Sequence, residues 1–294
     1  MELGLSLFST ELAGPVGDIA REAETLGFES LWFPEHMLIP VHYESRYKRT
    51  PDGKVPASFG HLPDPFIAAA MAAQATERLR VATGICILPQ REVIATAKAA
   101  ATLDRHSGGR LIMGVGAGWF PEEAAILGVT SFKRRWQALR EGVEALRVLW
   151  TREEAEYSGE FVRFPPVRVF PKPLQKPHPP VHLGVHDPRY APRRVARYAD
   201  GWCPGDLPVD EAADAVASVR RAAAERGRDP EGIEFSVVLT PAGDFPTVDD
   251  MACYRAAGMR RIILRVMEAA TGNGVDAVRR LHRFIEQARR IEPR

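Results

Sequence analysis

Cysteine, lysine and any surplus of charge are scarce in this chain of 294 residues. Its three cysteines, Cys86, Cys203 and Cys253, are odd in number, far apart and set in apolar runs. That argues against a disulfide framework and a cysteine-based metal site, and fits small buried thiols in a reducing compartment. Six lysines stand among 39 basic residues, which 38 acidic ones balance to a net charge of +1. Nucleic-acid and membrane-surface proteins need a basic excess, so neither partner is expected. No apolar window is long enough to span a bilayer. The opening MELGLSLFSTEL lacks a basic segment followed by an apolar run, so no signal peptide is expected and the cytoplasm is the expected compartment. His61, His106, His178, His182 and His282 form no His-x-His pair, and no metal site is expected.

What the chain has is a repeating beat. Short β-rich runs at 3–8, 30–33, 79–88, 110–118, 181–185, 201–204, 233–240 and 261–266 are each followed by a helix-periodic run. Helices are expected near 14–26, 65–76, 92–106, 133–150, 189–199, 209–226, 248–257 and 274–290. Gly27 closes the first, and Asp64 with Pro65 opens the second. Eight strand–helix units are the count of an α/β fold of the TIM-barrel type, (β/α)8, and 45% apolar residues can fill its core. A doubly wound sheet usually has fewer strands. One domain over 1–294 is expected, with insertions after strand 2 (37–63) and after strand 4, where 151–180 reads as a hairpin and a proline-rich connection.

In such barrels the chemistry sits at the C-terminal ends of the strands. Strand 2 ends in SLWFPEH, which places Glu35 and His36 there. Neighbouring strand residues point to opposite sides, so one of the two faces the barrel, and His36 is the favoured acid/base. Thr83-Gly84-Ile85 puts a glycine inside a branched apolar strand, the mark of a bulge, a close ligand approach or a tight bend. GVGAGW (114–119) ends strand 4 with alternate glycines; its spacing is not that of a dinucleotide fingerprint. Gly116 and Gly118 either leave a bare face for a flat ring or permit close packing. Trp119 and Glu122 follow them, and Trp32 and Trp202 are either apolar walls or core. Gly184, Val185 and His186 lead into a helix starting near Asp187 or Pro188 whose amides suit a phosphate, with Arg189 at hand. The loop 37–63 carries Tyr43, Arg46, Tyr47, Lys48 and Arg49, and is either a cationic lid or a flexible excursion. Arg134, Arg135 and Arg140 read as a solvated helix face.

Taken together, SLWFPEH, DPFIAAAMAAQATERLRVATGICILPQR (64–91), RLIMGVGAGWFPEEAAILGV (110–129) and RRVARYADGWCP (193–204) resemble the bacterial luciferase-like monooxygenase family over nearly the whole chain. VATGICILP and GAGWFPEE are similar to its coenzyme F420-dependent branch. The resemblance implies a TIM barrel, a homodimer, and a deazaflavin ring backed by a third-strand bulge with a non-prolyl cis peptide, which falls at Gly84-Ile85. It implies His36 as catalytic residue with Glu35 orienting it. Cofactor contacts fall at Thr83, Gly84, Ile85, Gly116, Gly118, Trp119, Glu122 and the turn Gly184, Val185, His186, where many relatives have glycine or serine at the last positions. The expected activity is hydride transfer between coenzyme F420 and a small organic substrate. The alternatives are an FMN-dependent monooxygenase served by a separate reductase, and a ring-binding protein without turnover. The substrate pocket is expected from loops 37–63, 119–132 and 240–247.

Overall fold

The computed structural model describes residues 1–187, 189–240, 246–267 and 273–290. The first half runs β1 (Glu2–Leu7), α1 (Val16–Leu26), β2 (Ser30–Phe33), α2 (Pro65–Ala75), β3 (Arg80–Thr83), β4 (Cys86–Ile87), α3 (Val93–His106), β5 (Leu111–Gly116), α4 (Pro121–Ile126) and α5 (Arg135–Thr151). The second half runs β6 (Ala155–Ser158), β7 (Arg163–Val167), β8 (Val181–Leu183), α6 (Ala191–Tyr198), β9 (Gly201–Trp202), α7 (Ala212–Ala224), β10 (Glu234–Leu239), α8 (Val248–Ala256), β11 (Arg261–Val266), α9 (Gly274–Arg279) and α10 (His282–Arg289).

All barrel pairings are parallel. They run β1–β2–β3–β5–β8–β9–β10–β11, and β11 returns to β1, which closes an eight-stave barrel. The fold is therefore the expected TIM barrel, and β6 with β7 forms the antiparallel hairpin of the insertion. Gly27, at φ 99°, ends α1, and the Asp64 carboxylate caps α2 by accepting from Phe66 and Ile67 N–H. Three boundaries differ from the sequence reading. The run 79–88 is broken into β3 and β4 because the chain bulges between them. The last helix divides at Arg280–Leu281. The helix after β8 starts at Ala191, because Asp187 accepts from the Arg189 N–H and guanidinium instead of capping. Pro188 lies outside the described residues.

The barrel interior is stacked in layers by the alternation of each strand. On β11 the inward residues are Arg261, Ile263 and Arg265, in register with Glu2, Gly4 and Ser6 of β1. The lowest layer is polar. Fully buried Arg261 donates to Glu29 (2.7 and 2.8 Å), Glu2 (2.7 Å), Ser236 (3.2 Å) and Glu234. Above it lies an apolar layer of Trp32, Ala82, Ile112, Cys203 and Ile263. Gly4 exists to admit Trp32: a Cβ there would sit 3.0 Å from the indole nitrogen.

His182 is also inward and fully buried, with neither ring nitrogen hydrogen-bonded. Burial, seconded by Arg261 and Arg80 against Glu234, pulls its pKa down to about 4. Between pH 6.5 and 4 the unfolded chain therefore takes up a proton here that the folded chain refuses. Stability measured by urea unfolding is expected to fall as pH drops through that window, by up to about 1.4 kcal/mol per pH unit. A His182→Asn variant that keeps the same slope would contradict the assignment.

Candidate active site

The C-terminal mouth of the barrel is built around the bulge between β3 and β4. The Gly84-Ile85 peptide is cis. Gly84 N–H donates to the Phe33 carbonyl (2.6 Å), and the Thr83 hydroxyl donates to the Gly114 carbonyl (2.6 Å). Thr83 is thus buried scaffold. The alternate glycines of β5 answer to the bulge as well. A Cβ on Gly114 would lie 2.0 Å from the Thr83 carbonyl oxygen, and one on Gly116 would lie 2.0 Å from Ile85 Cδ1. Gly118 adopts φ +75°, and Arg135 donates to its carbonyl (2.9 Å). Of the two readings of these glycines, close packing holds at Gly116, where Ile85 fills the space, and Ile85 also lines the mouth cavity.

These two glycines predict different failures. Gly114→Ala meets backbone and is expected to cost about 1–3 kcal/mol of stability, read from a urea midpoint. Gly116→Ala meets only a side-chain end, so stability changes less. It pushes Ile85 toward the mouth, and ring affinity is expected to drop more than stability does.

Glu35 does not orient His36. Its buried carboxylate accepts from Ile87 N–H (2.5 Å) and from the Arg91 guanidinium (Nε at 2.6 Å), which also reaches Asp64 (2.6 Å). Burial raises its pKa, against the opposing pull of Arg91 and Ile87. Glu35 fastens the far end of the bulge to the end of β2. The acid beside His36 is Glu123, fully buried, whose Oε2 lies 3.0 Å from His36 Nδ1 while Oε1 accepts from Met37 N–H (2.9 Å). Glu122 turns the other way and accepts from Glu44 N–H, Ser45 N–H and Ser45 Oγ (2.9, 2.9 and 2.7 Å). The two adjacent acids at the start of α4 therefore clamp the long loop 37–63 from both sides. From that loop Phe59 stacks on the His36 ring (5.2 Å, 22°), and Trp119 and Phe120 meet it edge-on. Tyr47 packs on both Phe59 and Trp119.

The mouth cavity is lined by Trp32, Gly84, Ile85, Gly184, His186 and Arg265, among others. The expected phosphate turn is already engaged: Gly184 N–H donates to Val115 and Val185 N–H to Leu183 (2.9 and 3.2 Å). His186 Nδ1 accepts from Gly205 N–H (2.7 Å). Part of His186 reaches solvent, yet desolvation by the walls, then Arg265 and Arg49, pulls its pKa down to about 4, so it is a neutral ring at pH 7. Arg49, from the loop, pairs with Asp206 and donates to Thr240 (3.1 Å), whereas Arg46 folds back onto the Asp52 carbonyl. Trp202 is core: its indole N–H donates to the Val185 carbonyl (2.9 Å) outside the cavity. Sequence reasoning missed Glu123 as a partner, Arg91 and Arg265. The signal for Glu123 was the acidic pair itself, since adjacent helix residues point apart. Among the described residues no group of three or more His, Cys, Asp or Glu side chains is placed to hold a metal ion, and no helix is long and apolar enough to cross a membrane.

The molecule is thus a parallel (β/α)8 barrel with a bulged third stave and a buried imidazole–carboxylate pair beyond the end of β2. The chain belongs to the luciferase-like monooxygenase family, which it matches over residues 7–293. An uncharacterised protein of Mycobacterium tuberculosis is 36% identical over 284 residues, covering 96% of this chain and 97% of that one. The FMNH2-dependent dimethylsulfone monooxygenase of Pseudomonas putida is 33% identical over 155 residues, 52% of this chain and 42% of that one. The structure of coenzyme F420-dependent tetrahydromethanopterin reductase from Methanopyrus kandleri superposes with a TM-score of 0.73 at 16% identity, over 96% and 97% of the two chains, a likeness of fold.

Proposed function

We propose that the protein passes a hydride between the deazaflavin coenzyme F420 and a small organic substrate. The observation that carries this reading is the pinned seat at Gly84 and Ile85 in the wall of the barrel-mouth cavity. His36, beyond the end of β2 and paired with Glu123, lies outside the cavity wall among Phe59, Trp119 and Phe120. The residues fit a flat heteroaromatic ring. Gly84 and Gly184 allow close backbone approach, and Ile85 offers an apolar surface that is only partly covered. The coenzyme, when bound, supplies the carbon that carries the hydride. The chain supplies the proton. A carboxylate only accepts, so Glu123 fixes the hydrogen on His36 Nδ1 and leaves Nε2 to take or give a proton at the substrate. Phe59, Trp119 and Phe120 around the imidazole keep water from it.

The preference for the deazaflavin rests on the likeness of VATGICILP and GAGWFPEE to F420-dependent members. A second reading, an FMN-dependent monooxygenase supplied by a separate reductase, is favoured by the Pseudomonas relative. Titration of the purified protein with oxidised F420 and, in parallel, FMN separates them, followed by the fluorescence of Trp32 in the cavity wall. Saturable quenching by the deazaflavin alone supports the proposal. Quenching by FMN alone moves the protein to the monooxygenase reading, and quenching by neither contradicts both.

A second copy of the chain is the expected partner. The outer face of α2 leaves Ile67 59% and Met71 55% exposed, an apolar pair one helical turn apart. Light scattering is expected to give a dimer for the native protein and a monomer for Ile67→Asp with Met71→Asp; a native monomer would refute this.

A further inference from the structure

We infer that Arg265 is a carboxylate-binding residue and that the substrate is a small organic acid held by its carboxylate at the barrel mouth. The inference rests on the oxidoreductase reading for the word substrate, but its evidence is a second, separate feature of the cavity.

The comparison is internal to one strand. Arg261 and Arg265 lie four residues apart on the same inward face of β11. Arg261 has three carboxylates and a serine hydroxyl around its guanidinium. Arg265 lines the mouth cavity and makes one hydrogen bond, from Nη1 to the Thr240 hydroxyl (3.1 Å). Its Nε is shut off from solvent without a partner, and among the described residues neither Nε nor Nη2 has an acceptor and no carboxylate lies within ion-pair distance. With Nε enclosed, a carboxylate in the cavity meets the guanidinium end-on, at Nη2 and the second N–H of Nη1.

Among the described residues the carboxylate that bears on it is Asp206, which favours the Arg265 cation from a distance. Asp206 is taken by Arg49, and the same Asp206 accepts from Thr240 N–H (2.7 Å). His186, across the cavity, is neutral at pH 7. Desolvation, then the like charge of Arg49, works against the Arg265 cation, yet a guanidinium stays protonated, so the mouth keeps a positive charge in excess. A buried or half-buried cation without a counter-charge is unfavourable unless a ligand supplies one. Position selects the substrate as its source. Gly84 and Ile85, the proposed ring seat, line the same cavity, so an acid anchored on Arg265 lies beside the ring. The other source of the same chemistry is an acidic group of the cofactor itself.

The test uses the cofactor-free protein, so it stands whether or not F420 binds. Benzoate and its neutral isostere benzamide are titrated against the native chain, Arg265→Met and Arg265→Lys, with tryptophan fluorescence as readout. Benzoate is expected to bind the native protein at least about 10-fold more tightly than benzamide, the usual worth of a charge-assisted bidentate contact. That preference is expected to vanish in Arg265→Met and to survive in part in Arg265→Lys, which keeps the charge and loses the fork. Equal affinities for the two probes in the native protein would overturn the inference without any variant. So would a preference that persists in Arg265→Met. Loss of F420 or FMN binding in Arg265→Met, with no benzoate preference in the native chain, would assign the arginine to the cofactor and overturn it equally.

Discussion

Replacing His36 with alanine is expected to lower turnover by about 10²–10⁴-fold, the range of general acid–base catalysis, while the protein still folds and binds its ring. The imidazole is held by a buried acid, Glu123. Glu123 is fully buried and its two oxygens are divided between His36 Nδ1 and Met37 N–H. The carboxylate thus does two jobs, fixing the tautomer of the ring and fastening the start of the loop that covers it. Glu123→Gln keeps an acceptor for Met37 but presents a donor or a weaker acceptor to Nδ1. It is expected to reduce turnover by about 10²-fold, mainly in kcat, since the ring seat is untouched. The measurement is steady-state turnover on whichever substrate a screen with the native protein identifies, beside a cofactor titration. Unchanged turnover in His36→Ala would remove the imidazole from the chemistry. Loss of ring binding in that variant would make it a structural residue instead.

The largest expected stability effect lies at the opposite end of the barrel. Arg261→Ala leaves Glu2, Glu29 and Glu234 facing one another around an empty space in the lowest interior layer. Breaking a buried ion pair from one side typically costs about 3–5 kcal/mol; Arg260 on Glu2 and Glu234, and Arg80 on Glu29, place the expected loss at the lower end of that range. Arg261→Lys is expected to recover little of that, since one ammonium cannot reach three carboxylates as the planar fork does. Urea unfolding of both variants checks it, with ring affinity of the folded protein unchanged. A loss under about 1 kcal/mol would mean the carboxylates reach solvent and the layer is not a plug.

The barrel was legible in the sequence because each stave is a short apolar run with a helix-periodic run behind it, and the order of eight such pairs admits few topologies. The strand-end rule also placed His36, and family likeness placed the bulge at Gly84-Ile85. What the sequence hid is long-range pairing. Glu35 is next to His36 in the chain, yet beyond the end of β2 it turns to the other side, toward Ile87 and Arg91. The acid that meets His36 comes from 87 positions further on. The glycines of β5 read equally as a bare face and as close packing, and only the position of Ile85 decides for packing at Gly116. Arg265 could not stand out, because in an arginine-rich chain the property that marks it, a cavity-lining guanidinium without a carboxylate partner among the described residues, exists only once the neighbours are in place.

The most direct test of the central claim is a crystal structure of the protein with oxidised coenzyme F420. The deazaflavin is expected in the barrel mouth, one face in van der Waals contact with Ile85 and His36 Nε2 turned toward the open face. A ring bound outside that mouth, or seated with Ile85 out of contact, would contradict the assignment of the bulge as its seat.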